Sequence, residues 1–384
     1  MINKIQNLRK QPSVGQTYTA ADIAAYNALL LNGKVFTKFD PNDVISNQIE
    51  YVTAGIWSSG EASLTTHFTS STQTTTQRRY YTDILNVLPS TIGAVTNYSI
   101  AYGNALGSGS TSVGQLDDSP ARAVYSQFKQ LLLGPSDTRF TTLNSGSTDS
   151  IYAITFKRSQ LKERLDIGKF ELPLANITSR ATNATGSVSV GSTIVTLVDD
   201  STIDSPTKGD FGRVYNLVSG SLSAGVFNST APVYYGLVYP DYGVIILDGN
   251  VLDQQLTFST NVSSSSEGNN HFALFRSISG SGTITNPLTS LPYGFQARNS
   301  EKVTSTKYSV RVKYLDYNFS NNPSYVTGSN GDFAQPTFLN DPKAYITTIG
   351  LYNERTELLA VAKLSQPVLK TFTREANIQV KLDY

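Results

Sequence analysis

Alternation of apolar and polar residues with a period of two runs through the last third of the chain. Tyr308, Val310, Val312 and Tyr314 share one face, and Ser309, Arg311 and Lys313 take the other, which is the spacing of a half-buried strand. The last forty residues predict three more strands: one from Ala344 to Asn353, a second around Leu358 to Pro367, and a final one from Ala376. In that final strand Ile378, Val380 and Leu382 are expected inward, against Gln379, Lys381 and Asp383. The chain ends on Tyr384, so its terminus is expected to serve in packing.

Between residues 180 and 250 the apolar runs are β-branched and bounded by turn residues. Thr193–Val198, Arg213–Val218, Val233–Tyr239 and Val244–Leu247 read as strands. Their short connections, Pro240-Asp241-Tyr242-Gly243 among them, predict an antiparallel meander, because parallel neighbours need long crossovers. Asp248-Gly249 reads as a further tight reversal.

Helical spacing concentrates earlier. Ile23, Tyr26, Leu30 and Leu31 form one stripe, closed by Asn32-Gly33. A second helix is expected from Pro120 to Leu133, capped by Ser119, with Val124, Phe128, Leu131 and Leu132 inward. A third, shorter one is expected from Ser159 to Leu165. The predicted class is mainly β, with antiparallel β-sandwich-like domains and a few short helices in the N-terminal half.

Ser/Gly/Thr-rich zones at 181–192, 263–270 and 277–289 mark candidate boundaries. They suggest an N-terminal mixed domain over 1–176, an inserted β-domain over 177–290, and a C-terminal β segment over 291–384 packing with the first. The polar connection from Asn318 to Asp341 is long for a tight turn and reads as a contact arm. Its aromatics Tyr325, Phe333 and Phe338, with Tyr384, are the candidate interface residues.

Composition narrows the function classes. Charged residues are 15% of the chain, below the usual quarter. Ser, Thr, Asn and Gln replace them, alongside 22 tyrosines and 17 phenylalanines. Such a surface meets other protein without desolvating charge, and its aromatic content argues against disorder. A net charge of +1 provides no global field toward nucleic acid or an acidic membrane. With 0 cysteines there is no disulfide or thiolate chemistry. The first residues carry no secretory h-region, and no run reaches the roughly 20 apolar residues that span a bilayer.

Candidate chemistry is sparse. His67 and His271 are the 2 histidines and lack companion ligands for zinc. Gly103, Gly107, Gly109 and Gly114 are followed by no phosphate-loop lysine and read as a flexible surface loop. Asp40 and Asp43, Asp199-Asp200, and Asp248 with Asn250 fit turn chemistry better than calcium ligation. No catalytic, cofactor or metal residue is assigned, and no cofactor is expected.

Several stretches resemble a family of structural proteins of T4-like cyanophages and other contractile-tailed bacteriophages. They include Ala54-Gly55-Ile56-Trp57-Ser58-Ser59-Gly60, Val124-Tyr125-Ser126-Gln127-Phe128-Lys129, Leu161-Lys162-Glu163-Arg164-Leu165-Asp166-Ile167-Gly168, Asn318-Phe319-Ser320-Asn321-Asn322-Pro323-Ser324-Tyr325 and Thr348-Ile349-Gly350-Leu351-Tyr352-Asn353. The resemblance implies a non-enzymatic virion component of tail, baseplate or neck, assembled in the host cytoplasm. Its partners would be other virion proteins and copies of itself, without nucleic acid or membrane. A capsid decoration protein and a carbohydrate-binding or cleaving host-recognition protein are the alternatives.

Overall fold

The computed structural model describes residues 37–384 except 71–72, 112–118, 144, 181–187, 210–211, 227–231, 260–268, 315, 321, 328–331 and 356. The expected helix over 23–31 lies outside the described residues. The main strands in chain order are β1 (Val44–Gly55), β2 (Phe68–Thr69), β3 (Tyr81–Leu85), β4 (Thr96–Asn104), β5 (Ser150–Phe156), β6 (Leu172–Arg180), β7 (Val188–Asp199), β8 (Gly212–Ser221), β9 (Tyr234–Tyr239), β10 (Val244–Asp248), β11 (Arg298–Val312), β12 (Ala344–Tyr352), β13 (Leu358–Lys370) and β14 (Ala376–Asp383). Among the described residues three helices exceed a single turn or two: α1 (Pro120–Leu132), α2 (Gly249–Leu256) and α3 (Asn269–Ser281). The protein is mainly β, and its sheets are antiparallel, as the alternation predicts.

The chain separates into two compact units, one of residues 51–302 and one of 1–50 with 303–384. An insertion is present, but its ends fall at 51 and 302 rather than at 177 and 290. The reason is the large sheet of the 51–302 unit. Its order is β6-β7-β8-β9-β10-β5-β4-β3-β2, with two short strands added on β8 to make 11. β10 pairs with β5 from Val244↔Thr155 to Asp248↔Ile151, so strands from within 177–290 continue the same sheet as strands from before residue 160.

The centre of this sheet is buried on both faces, which explains why β5 and β10 read as continuous apolar runs rather than alternating ones. Tyr152, Ile154, Ile245 and Leu247 face one core with α2 and α3. Ile151, Ala153, Val244 and Ile246 face another with α1. Helix α1 begins as expected, with the Ser119 side chain accepting from Arg122 N at 3.2 Å. It buries Val124, Tyr125, Phe128 and Leu132. Leu131 is a correction: it is 41% exposed, and Tyr125 takes the inward place instead. The Tyr125 hydroxyl donates to Thr148 O at 2.8 Å and accepts from Phe140 N at 3.2 Å, so the ring is buried without an orphaned polar atom.

Other local expectations change. Asp248-Gly249 does not reverse the chain. Asp248 instead caps α2, its Oδ1 accepting from Asn250 N at 2.9 Å. The expected boundary zones 263–270 and 277–289 overlap the two ends of a helix, α3 (Asn269–Ser281). Its Ala273, Leu274, Phe275 and Ile278 enter the core. Ser277 Oγ satisfies itself on Ala175 O at 2.7 Å. The helix expected over 159–165 is a single turn, Arg158–Leu161, followed by a short strand at Arg164–Leu165. Gly103 is no loop residue: it lies in β4, where a Cβ would stand 2.8 Å from Tyr125 N. The glycine lets α1 approach that strand.

In the other unit, β14 pairs antiparallel with β11 from Ser305↔Asp383 to Val312↔Ala376, and β1 takes the other side of β11. β12 and β13 form a separate two-stranded sheet. Ile349 and Leu351 of that hairpin pack with Val380, alongside Phe39, Tyr308, Val310, Ala360, Ala362, Ile378 and Leu382. The inward assignment of 378, 380 and 382 follows the period-two pattern.

Candidate functional site

The two histidines are core residues of the 51–302 unit. His67 Nδ1 lies 3.0 Å from the buried Tyr98 hydroxyl, and the rings meet edge to face. Burial pulls the His67 imidazole down to about 4, opposed by a backbone hydrogen bond at Leu64. His271, in α3, is likewise lowered to about 4 by burial. A backbone hydrogen bond at Arg78 raises it, and the positive charge of Arg180 lowers it further. Both rings are neutral at pH 7 and buried.

The carboxylates read as turn residues are engaged by the backbone. Asp199 accepts from Gly168 N and Ser201 N at 2.9 and 3.2 Å. Asp200 accepts from Asn216 N and Nδ2 at 3.0 and 2.7 Å, and burial raises its pKa. Asp43 Oδ2 accepts from Asp40 N at 3.1 Å, while Oδ1 pairs with Arg311 Nε at 2.6 Å. Among the described residues no group of three or more His, Cys, Asp or Glu is placed to hold a metal ion. A polar cleft of about 500 Å³ is lined by Ser145, Asn250, Val251, Asp253 and Gln254.

The interface candidates divide. Tyr325 is buried, and stacks on Phe338 at 4.6 Å between centroids with 9° between the planes. Phe319 and Phe333 meet it edge to face at 5.4 and 5.9 Å. Its hydroxyl donates to Asn318 O at 3.0 Å. The 318–341 connection is therefore organised around an aromatic knot of its own, with a small hairpin at Val326–Thr327 and Asp332–Phe333. Four aromatics in a segment without long strands exclude water most effectively by packing on one another. Tyr384 differs: it is 72% exposed, with its hydroxyl 3.1 Å from Thr306 Oγ1.

Among the described residues of this unit, several exposed apolar side chains lie on the β12–β13 hairpin. Tyr345, Tyr352, Leu358, Leu359 and Val361 all project to solvent. Val361 pairs with Gly350, and a Cβ on Gly350 would stand 2.8 Å from the Tyr352 ring. The missing side chain thus lets that ring lie across the strand beside Val361. Neighbouring apolar residues on one strand pair form a patch, whereas scattered exposed leucines need no explanation. Sequence reasoning placed these strands but did not single out their outward residues. The signal was present in Leu358-Leu359-Ala360-Val361-Ala362, where both faces are apolar.

Comparison with protein-family models, with curated proteins and with solved structures found no match.

Proposed function

We propose that this chain is a non-enzymatic structural component of a bacteriophage particle, in the tail, baseplate or neck, and that it acts through protein–protein contacts. The observation that carries the proposal is the exposed apolar face of the β12–β13 hairpin, at Tyr345, Tyr352, Leu358, Leu359 and Val361. Ile349 and Leu351 are committed to the core, while Tyr345, Leu358, Leu359 and Val361 are exposed. Low charge and high aromatic content support the same reading, because interfaces are depleted in Lys, Glu and Asp and enriched in Tyr and Phe. The resemblance to phage structural proteins supplies the setting.

The test is a charge placed in the patch. Leu359→Glu and Val361→Glu are surface changes and are expected to alter the stability of the purified protein by no more than about 0.5 kcal/mol. Supplied in place of the wild-type gene, the pair is expected to prevent incorporation into particles. Unchanged incorporation, with both residues still exposed and the fold intact, would contradict the proposal.

A further inference from the structure

Lys370 closes strand β13 and is fully buried, at 0% exposure. Its Nζ lies among three oxygens: Tyr314 O at 2.9 Å, Asn318 Oδ1 at 2.9 Å and Thr371 O at 3.0 Å. All three are uncharged. An ammonium taken out of water without a bonded counter-charge is penalised by several kcal/mol, which favours the neutral amine. Burial lowers the Lys370 pKa, against the pull of the Asp316 and Glu375 carboxylates.

The three acceptors suit an ammonium, and loss of one proton, which burial favours, leaves a nucleophilic lone pair beside the Asn318 carboxamide. With Oδ1 at 2.9 Å and a C=O bond of about 1.23 Å, the Asn318 Cγ stands no more than about 4.1 Å from Nζ. Reactive encounters begin near about 3–3.5 Å, so a small rotation of the amide bridges the gap. The leaving nitrogen is also held. Asn318 Nδ2 donates to Tyr314 O at 2.8 Å, the same carbonyl that Lys370 Nζ touches. The Tyr325 hydroxyl fixes the Asn318 backbone, and both Asn318 and Lys370 are buried.

We propose that Lys370 and Asn318 become joined by a side-chain amide bond after folding. The Nζ lone pair attacks Cγ and forms the Nζ–Cγ bond. A proton from Nζ passes to Nδ2, the Cγ–Nδ2 bond breaks, and ammonia leaves. No oxidant, cofactor or second substrate is consumed. The product ties the end of β13 to the segment that follows β11, and closes a covalent loop without cysteine. This cross-link does not depend on the proposed place in a particle.

The experiment is mass spectrometry of the full-length purified protein after incubation at neutral pH. The expected result is an intact mass lower than the sequence mass by one ammonia. A tryptic digest of the denatured protein should then contain a branched peptide joining the segments around Asn318 and Lys370, with no cleavage after Lys370. That branched peptide separates the cross-link from ammonia lost by other asparagines. Lys370→Arg and Asn318→Ala should each restore the full mass. Since the wild-type protein is itself the readout, a variant that fails to fold leaves the result intact. Full sequence mass, with ordinary tryptic cleavage after Lys370, would overturn the proposal.

Discussion

Buried titratable residues give the larger unit a pH dependence that can be signed in advance. His67 and His271 are held at about 4 in the folded protein, against about 6.5 in an unfolded chain. The unfolded state therefore binds more protons through the interval between these values. Stability is complete above about 6.5 and falls as pH drops toward about 4, by at most about 3 kcal/mol per histidine. Asp166, Glu171 and Asp200, whose pKa values burial raises, act with the opposite sign in the lower part of that window. Urea melts at stepped pH should show His67→Gln with a shallower loss than the wild type. An unchanged slope would mean that His67 is solvated in the folded protein. The sequence argued against zinc through the absence of companion ligands, whereas the burial of both rings and the Tyr98 partner, 31 residues from His67, were invisible in it.

At the level of elements, α1 shows where periodicity succeeds and where it stops. Cap, proline and stripe located the helix from Pro120 onward, because those signals are local. They did not decide whether residue 125 or 131 turned inward, since that depends on which face the sheet covers. Phe128→Ala should cost about 3–5 kcal/mol, and Leu131→Ala less than about 1 kcal/mol, as measured by denaturant unfolding. Similar losses at both sites would contradict the packing. Gly103→Ala is expected to destabilise by about 1–3 kcal/mol, because the new methyl group meets Tyr125 backbone atoms at 2.8 and 2.9 Å rather than a side chain that can move. Helix α3 was missed for a related reason. Ser277, Ser279, Gly280 and Ser281 look like linker, yet Phe272, Phe275 and Ile278 recur at helical spacing among them. The Ser277 and Ser281 hydroxyls bond to backbone carbonyls, so small polar residues enter the core without an unsatisfied group. In the 318–341 connection, composition suggested an arm, and only the mutual packing of Phe319, Tyr325, Phe333 and Phe338 shows a folded segment.

For the molecule as a whole, the three apolar cores follow the two units closely. Every residue of the two larger cores lies between 51 and 302, and every residue of the third lies before 51 or after 302. Residues 51–302 expressed alone should therefore unfold in one cooperative transition, and 177–290 alone should not, because its strands and helices complete cores that need Tyr98, Tyr152 and Ile154. Calorimetry of the two fragments decides this, and a cooperative transition from 177–290 would restore the boundaries that Ser/Gly composition suggested. Composition marks where chain is soft, but membership in a sheet is set by pairings such as β10 with β5, which join residues nearly a hundred positions apart. As the structural component proposed above, the chain should be present in phage particles in fixed stoichiometry, with its exposed hairpin buried. A map of the intact phage particle at side-chain resolution tests this directly. The account predicts ordered density for the chain, with Tyr345, Leu359 and Val361 against a neighbouring virion protein or a second copy. Particles that lack the chain, or a chain whose β12–β13 outer face stays in solvent, would contradict it.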